Sequence, residues 1–285
     1  MGKQGAFIQS NTQQIIGAKI AKYALETRGG LKKRGIPVTI MKVEEIPVFQ
    51  NFIGKPYRKE NYDVYNFKDL QSFTLTRFMP PELMGYEGRA LVIDPDIYAL
   101  SAVTELFDTD MHGAAITACR KNPWDTSVMV LENARLQHWK IAEMLEDIGA
   151  QKRTYEDIAQ LRSEAEGSVR ELSRIWNNLD TLTPETKMIH TTNRLTQPWK
   201  TGLPIDFTLN PMPKILGIIP REPIHKLLGK YPTHYQKHPN PEIEKLFFAL
   251  LKETLEGGGV TESEIDEAIA RKDVRPDAKA MLRAA

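Results

Sequence analysis

The chain has 285 residues, and its content of 41% hydrophobic and 26% charged residues is that of a globular protein able to bury a sizeable core. Its 38 basic and 37 acidic residues nearly cancel, which excludes an overall charge that would attract nucleic acid or an anionic membrane. The single cysteine, Cys119, excludes an intramolecular disulfide framework and a cysteine-rich zinc site.

The sequence predicts neither a membrane span nor a secretory signal. No window approaches the roughly eighteen apolar residues that a spanning helix needs. The N-terminus has only a short apolar segment before polar residues, which is a poor secretory signal. We therefore expect a cytoplasmic protein.

The first quarter of the chain predicts the opening of an α/β fold. The apolar run at 6–8 predicts a buried strand, the periodicity of 13–27 a helix, and the run at 37–41 a second strand. The helix-length crossover between these strands favours parallel pairing. Aromatic and polar residues without a clear period indicate a long surface loop at 49–72.

The most informative segment is RALVIDPDIY at 89–98. Its apolar run predicts a strand buried on both faces, and Asp94 and Asp96 follow directly. Strands of this kind place ligands beyond their carboxyl ends, and two carboxylates there suit a hard divalent cation. Asp-Pro-Asp is equally a good turn, so the spacing alone leaves both interpretations open. A helix at 75–84 is expected before this strand, and a short connection at 97–107 after it.

The middle of the chain predicts further strands and helices. Apolar runs at 114–119 and 127–131 predict two strands, and an apolar stripe predicts an amphipathic helix at 138–148. Residues 152–180 are polar and helical in tendency. The run at 187–190 is the last strand expected in the core.

The C-terminal part predicts a separate, partly helical extension. Prolines punctuate residues 198–220, and helices are expected at 241–255 and after the capping box at 261–264. The apolar stripe of the first helix is expected to pack on the core. Homodimer formation through these helices, or the holding of an acceptor-bearing partner, is the alternative. The predicted division is 1–210 for the main domain and 211–285 for the extension.

Several motifs follow one another in order along residues 5–205. Arg77 lies in a predicted helix, Asp94-Pro95-Asp96 ends the next strand, and Glu105-Leu106-Phe107 comes after it. The later motifs are TSVMVLEN at 126–133, Leu172 with Trp176-Asn177, KMIH at 187–190 and QPWKTG at 197–202. In this order the motifs resemble those of the family 8-like glycosyltransferases of the GT-A fold. The resemblance implies an α/β, Rossmann-like fold with a mostly parallel central sheet flanked by helices.

The resemblance also implies an activity and a metal. The implied enzyme is of the hexosyltransferase type, and it moves a sugar from a nucleotide sugar, foremost a UDP-sugar, to an acceptor glycan, lipid or protein with retention of configuration. The family's ligand positions for Mn²⁺ or Mg²⁺ fall on Asp94, Asp96 and His190, and this mixed donor set suits Mn²⁺ somewhat better than oxygens alone would. The alternative for His190 is a histidine that merely caps a strand end.

The remaining residues implied by the resemblance bind the donor or take part in the reaction. The implied donor-binding residues are Phe7, Ser10, Asn11, Arg77, Thr126, Ser127 and Lys200. The implied catalytic residues are Arg77, Glu156 and Asp157, and Asp157 would be the general base if the reaction inverted configuration. A solvated helix face is the alternative for the acidic pair, and a surface salt bridge is the alternative for Arg77.

The last motif departs from the family pattern H-x-x-G-x-x-K-P-W. Asn193 stands where glycine is expected, and Gln197 stands where lysine usually precedes the proline. The missing positive charge is expected from Lys200 or Arg194, or else the diphosphate is held more weakly than usual.

Two other functions fit parts of the sequence. A nucleotidyltransferase also uses a Rossmann-like fold and a carboxylate-held metal, but it needs a glycine-rich loop with a basic residue after the first strand, which 9–19 lacks. A catalytically degenerate nucleotide-sugar-binding or scaffold protein would keep the fold and lose turnover. The altered segment at 193–200 is the main support for this third hypothesis.

Overall fold

A computed structural model describes residues 2–58, 63–207 and 232–285. In chain order, its strands are β1 (Gln4–Ser10), β2 (Val38–Lys42), β3 (Pro56–Arg58), β4 (Asp63–Val64), β5 (Arg89–Ile93), β6 (Ile97–Ala99), β7 (Ile116–Arg120), β8 (Trp124–Glu132), β9 (Val169–Glu171), β10 (Asn178–Leu179) and β11 (Met188–His190).

The helices described in these ranges are mostly short. The α-helices are α1 (Ile15–Glu26), α2 (Leu31–Arg34), α3 (Pro47–Gln50), α4 (Pro80–Leu83), α5 (Glu105–Asp108), α6 (Ile141–Gly149), α7 (Tyr155–Ala159), α8 (Pro241–Glu256), α9 (Glu262–Ala270) and α10 (Ala278–Ala284). Single 3₁₀ turns or short 3₁₀ helices cover Thr12–Gln14, Val43–Glu45, Thr74–Phe78, Asn133–Arg135, Arg174–Trp176 and Arg194–Thr196.

The central sheet contains six strands in the order β2-β1-β5-β8-β7-β9. β1 pairs in parallel with β2 and β5, and β7 pairs in parallel with β9, whereas β8 is antiparallel to both of its neighbours. Every strand except β8 therefore points the same way, which confirms the predicted mostly parallel sheet. Ile8 of β1 lies beside Ile93 of β5, so the next residues, Gln9 and Asp94, end up as neighbours.

A second sheet brings the end of the core to the D-x-D segment. Its strands lie in the order β10-β11-β6, and β6 begins directly after Asp96. β6 and β11 pair antiparallel with Ile97 opposite His190, and Leu179 of β10 lies beside His190 on the other side. This pairing places His190 next to Asp96, although the two residues are far apart in the chain.

Helices cover both faces of the central sheet, as predicted. On one face α1 packs with α8, where Ile20 and Phe247 are almost completely buried. On the other face the rings of Phe78 and Trp139 meet edge to face with centroids 4.9 Å apart. Burial of these large side chains supplies the main stabilising term for the fold.

Helix α1 approaches the D-x-D turn closely at Gly17. A Cβ atom built on Gly17 would lie 2.9 Å from the carbonyl oxygen of Pro95. Because glycine has no Cβ, helix and turn can approach this closely. The contact places the N-terminal part of α1 directly against the segment that carries Asp94 and Asp96.

The apolar stripe of the C-terminal helix α8 packs against the core of the same chain. The ring of Phe247 in α8 lies 5.1 Å from that of Trp199 and 6.0 Å from that of Tyr98. This packing on the core leaves the alternative of a homodimer through these helices without support. The predicted boundary between 1–210 and 211–285 lies outside the described residues, and the division stays a prediction.

Two predicted segments around the first half of the chain are wrong in detail. The segment 75–84 is a 3₁₀ helix followed by α4, because Pro80 and Pro81 lack the N–H groups that a continuous α-helix needs. The expected surface loop at 49–72 includes part of α3 and the two-stranded pairing of β3 with β4.

Two other segments contain strands that the sequence did not predict. The expected connection at 97–107 begins with β6, and the polar segment at 152–180 is helical over α7 only before it enters the central sheet as β9. In both cases the neighbouring strand supplies the backbone hydrogen bonds. Pairing with distant residues thus decides these structures rather than local periodicity.

No helix within the described ranges combines the length and apolar character that crossing a bilayer requires.

Candidate metal centre and cleft

Three side chains that can ligate a metal converge beyond the carboxyl end of β5. One ligand atom from each of Asp94, Asp96 and His190 lies within 4.8 Å of the other two. His190 is 5% exposed and Asp96 is 9% exposed, so water reaches this cluster from a limited direction. We call these three residues the metal centre. Two carboxylates and one imidazole are a donor set that fits a divalent cation such as Mn²⁺.

A hydrogen bond orients His190 toward the two carboxylates. Its Nδ1 lies 2.8 Å from Oδ1 of Asn177, and its Nε2 lies 3.3 Å from Oδ1 of Asp96. Burial lowers the pKa of His190, but the facing carboxylates, chiefly Asp96, outweigh burial and raise this pKa above its ordinary value. A cation bound between these groups would take the place of a proton on Nε2, so the residues fit a metal.

Asp94 is held by Arg77 and Gln9. Arg77 Nη2 donates to Oδ1 of Asp94 at 2.8 Å, and Gln9 Nε2 donates to the same oxygen. No hydrogen bond among the described residues uses Oδ2 of Asp94, which leaves that oxygen available to a cation. Burial raises the pKa of Asp94 to about 6, although the Arg77 guanidinium acts in the opposite direction. The charged carboxylate is therefore costly until a cation joins it.

A further buried carboxylate, Asp125, lies near the start of β8. Ser127 donates to its Oδ1 through both the hydroxyl and the backbone N–H, and Arg174 Nη1 donates to its Oδ2 at 3.0 Å. Burial alone would raise the pKa of Asp125, but these hydrogen bonds lower it to about 2. Asp125 is therefore ionised and acts only as an acceptor at neutral pH.

The metal centre belongs to the lining of a cleft of about 460 Å³. Three exposed cations, Lys121, Arg162 and Arg194, also line the cleft, and we call them the basic rim. Within residues 2–58, 63–207 and 232–285, none of the three forms an ion pair. A cation site and unpaired positive charges in one cleft suit a ligand with adjacent negative charges, such as a diphosphate.

The structure brings part of the predicted site together. The predicted residues that line the cleft are Arg77, Asp94, Asp96, Thr126, Ser127 and His190. Arg77 Nη1 donates to the hydroxyl of Thr126, which donates in turn to the carbonyl oxygen of Ala159 at 2.7 Å. The guanidinium of Arg77 thus forms hydrogen bonds with other protein side chains, and through them it connects Asp94 to Thr126 of β8.

Three predicted donor-binding residues lie elsewhere. Phe7 packs in the core on the face of the sheet that α6 covers, and Ser10 and Asn11 are fully buried. Asn11 caps the following 3₁₀ turn by accepting from Gln14 N at 3.0 Å, and it donates to Ser72 Oγ at 3.2 Å. These contacts position the end of β1, and a direct role in donor binding stays a prediction.

Lys200 is buried, and it is not among the described residues that line the cleft. Its Nζ donates to Oδ2 of Asp206 at 2.8 Å and to the carbonyl oxygen of Lys272 at 3.2 Å. Arg194, from the same altered motif, does line the cleft. Of the two residues predicted to supply the missing positive charge, Arg194 is the one that faces the site.

The acidic pair Glu156 and Asp157 lies in the short helix α7. Asp157 forms a capping box with Thr154, accepting from its backbone N–H at 2.9 Å and donating through its own N–H to Oγ1 at 3.1 Å. The hydrogen bonds from Thr154 lower the pKa of Asp157. Neither acid is among the described residues that line the cleft, whereas Tyr155 and Gln160 are.

The sequence predicts no site role for Asp125 or Asn177, and it includes Gln9 only as part of the segment 7–11 that is expected to bind the donor nucleotide. Gln9 follows β1 directly, so the parallel register with β5 was the available signal. Asn177 lies in the W-N motif, and the position of this motif in the chain is the only signal that the sequence offers for it. Asp125 carries no local signal, because its importance comes from side chains on other elements.

No family model matches the chain, and no curated protein matches it in sequence. It is similar to GlyE of Streptococcus pneumoniae TIGR4 (15% identity, TM-score 0.46, 69% of this chain and 56% of that one). It is also similar to the galactosyltransferase LgtC, solved with donor and acceptor sugar analogues (14% identity, TM-score 0.45, 69% of this chain and 89% of that one). A third similar structure is that of mouse xyloside xylosyltransferase 1 (13% identity, TM-score 0.40, 66% of this chain and 97% of that one). The chain thus spans little more than half of GlyE.

Proposed function

We propose that this chain is a metal-dependent glycosyltransferase that moves a sugar from a UDP-sugar to an acceptor hydroxyl of a glycan, lipid or protein. The observation that carries the proposal is the meeting of Asp94, Asp96 and His190 within 4.8 Å, in a cleft that also presents cations without an ion pair in the described part of the chain. The site lies beyond the carboxyl ends of parallel strands, where α/β folds bind nucleotides.

The metal centre supplies the first part of the mechanism. A bound Mn²⁺ or Mg²⁺ would act as a Lewis acid on the leaving diphosphate. Asp94, Asp96 and Nε2 of His190 would hold it, while Arg77 and Gln9 fix the orientation of Asp94 through its Oδ1. Because the burial of Asp94 raises its pKa, a cation makes the charged form favourable.

The basic rim supplies the second part. Lys121, Arg162 and Arg194 line the cleft without an ion pair among the described residues, so their charges are available to donor phosphates. We assign the phosphate contact to Arg194 rather than to Lys200, because Lys200 is paired with Asp206. Arginine offers a planar set of donors that matches two phosphate oxygens.

The capping role of Asp157 counts against this residue as the base of an inverting reaction. An inverting enzyme needs a carboxylate base beside the acceptor hydroxyl, and Asp157 was the candidate for it. Its hydrogen bonds with Thr154 lower its pKa, which weakens it as a base. The resemblance to family 8-like enzymes implies retention.

The test is calorimetric titration of UDP with and without Mn²⁺. We expect binding that requires Mn²⁺ in the wild type and is lost in Asp94→Ala and Asp96→Ala. Asp110→Ala is the matched control, because it removes an exposed carboxylate outside the cleft. Binding of UDP that ignores Mn²⁺, or that survives both substitutions in the metal centre, would contradict the proposal.

A hydrolysis assay separates an active enzyme from a degenerate binding protein. We expect the wild type to release free sugar slowly from a UDP-sugar when Mn²⁺ is present, because water can replace the acceptor. NMR of the first sugar released reports its anomeric configuration. Metal-dependent UDP binding without any hydrolysis or transfer would favour the degenerate binding protein.

A further inference from the structure

The side chains behind His190 form a continuous hydrogen-bonded chain that starts at a cation. Arg174 Nη1 donates to Oδ2 of Asp125 at 3.0 Å, and the hydroxyl of Ser127 donates to Oδ1 of Asp125. Asn177 Nδ2 lies 2.9 Å from Oγ of Ser127, and Asn177 Oδ1 lies 2.8 Å from Nδ1 of His190. Apart from Arg174, these residues are buried, with Asn177 fully so.

The donor and acceptor groups of these side chains allow the hydrogen bonds to run in one direction only, from Nδ1 of His190 toward Asn177 and from Asn177 through Ser127 to Asp125. A carboxylate accepts hydrogen bonds and never donates, so Asp125 takes the single hydroxyl hydrogen of Ser127. Oγ of Ser127 is then an acceptor toward Asn177, which requires the amide nitrogen of Asn177 on that side. The amide oxygen consequently faces His190, and Nδ1 must carry a proton to donate to it.

We propose that Asp125, Ser127 and Asn177 are positioning residues that hold the proton of His190 on Nδ1 and so reserve Nε2 for the metal. The role rests on the proposed metal-dependent function, because it concerns the ligand atom of the metal centre. Arg174 completes the chain by binding the second oxygen of Asp125, which fixes the carboxylate in one orientation. Outer hydrogen-bond partners of this kind set ring orientation and ligand strength in metal sites.

The arrangement has a specific consequence for substitutions away from the metal. Without the Ser127 hydroxyl, the amide of Asn177 is free to turn its nitrogen toward His190. Nδ1 would then have to accept, the ring proton would move to Nε2, and the lone pair would no longer face Asp96. Ser127→Ala should therefore weaken metal binding although Ser127 does not touch the proposed cation.

Two measurements on the full chain test the proposal. The first is Mn²⁺ affinity by calorimetry without nucleotide. Ser127→Ala and Asn177→Leu should weaken it by about 10- to 100-fold, the usual effect of losing such a partner. Asn177→Asp keeps an acceptor for Nδ1 but loses the donor to Ser127 Oγ, so it should recover only part of the affinity that Asn177→Leu loses. Thr117→Val is the matched control, since it removes a buried hydroxyl with no hydrogen-bond partner among the described residues.

The second measurement is long-range ¹H–¹⁵N NMR of the His190 ring in the metal-free protein, at a pH high enough for the ring to be neutral, so that a single proton occupies one of the two nitrogens. We expect a proton on Nδ1 in the wild type and in Thr117→Val, and a shift of the neutral ring toward the Nε2–H form in Ser127→Ala. Thermal unfolding of each variant verifies that it is folded.

Two outcomes would overturn the proposal. They are a wild-type ring protonated on Nε2 alone, and unchanged Mn²⁺ affinity in both Ser127→Ala and Asn177→Leu. Failure of the wild type to bind Mn²⁺ would instead refute the proposed function. The NMR result would still decide the position of the proton in that case, so the two failures are distinguishable.

Discussion

The metal centre and the basic rim line the same cleft but differ in how their charges are held. Asp94, Asp96 and His190 are largely buried, and protein hydrogen bonds orient Asp94 and His190. The three cations of the rim are exposed and lack ion pairs among the described residues. The buried groups are therefore positioned before a ligand arrives, whereas the exposed side chains of the rim lose conformational entropy when they bind one.

The same difference predicts how each region responds to change. Removing a partner from a buried charged group leaves an uncompensated charge, so large effects on stability or metal binding are expected at the metal centre. Exposed charges are screened by water and salt, so substitutions in the rim should have small effects that depend on ionic strength.

Asp96→Asn should have the largest effect. The substitution keeps the shape of the side chain but removes the charge of a metal ligand, so Mn²⁺ affinity should fall on the order of 1000-fold, or about 4 kcal/mol. Calorimetric titration measures it, with Asp110→Asn as the exposed control. Wild-type Mn²⁺ affinity in Asp96→Asn would exclude Asp96 as a ligand.

Arg77→Ala should destabilise the metal-free protein by about 3 kcal/mol, because it leaves Asp94 buried without its cationic partner. The two side chains are 9% and 16% exposed. Urea unfolding in EDTA measures the change, and added Mn²⁺ should recover part of it. Arg28→Ala breaks the more exposed pair with Glu253 and should cost less than about 1 kcal/mol. Equal costs for the two variants would remove the distinction between buried and exposed charges.

Gly17→Ala tests how closely the D-x-D turn is packed. In an unobstructed helix this change stabilises by about 1 kcal/mol. Here the new Cβ would meet the Pro95 carbonyl oxygen at 2.9 Å, so we expect a net loss of about 1 kcal/mol in the free energy of unfolding. Gly2→Ala, where nothing lies within 4 Å, should be neutral. A gain in stability for Gly17→Ala would show that the turn at Pro95 can shift away from the new Cβ at little cost.

Arg194→Ala should have a small effect that depends on ionic strength. We expect a loss of about 1 kcal/mol, roughly fivefold, in the affinity for UDP with Mn²⁺ at low salt, and a smaller loss at high salt. The affinity for Mn²⁺ alone should not change. Arg283→Ala is the control, as an exposed arginine of the last helix. An unchanged UDP affinity in Arg194→Ala would remove this residue from the phosphate contacts.

Much of the central fold could be predicted because a short buried strand leaves a recognisable pattern in a sequence, an apolar run that ends at polar or turn residues. The run ending at Asp94 and the run ending at His190 both form strands at the predicted places. By contrast, β6 and β9 are short and owe their structure to pairing with distant strands. The break of the predicted helix at Pro80 was visible in the sequence, since proline cannot continue an α-helix from the preceding turn.

Local patterns in the sequence predict the strand that ends at Asp94 and Asp96, because periodicity and turn residues act over short distances in the chain. The ligand role of His190 follows only from the resemblance to the family 8-like glycosyltransferases. Only the tertiary structure decided that Lys200 pairs with Asp206 while Arg194 lines the cleft, and that Asn177 orients His190. These are contacts between distant segments, and long-range packing sets the direction and partner of each side chain.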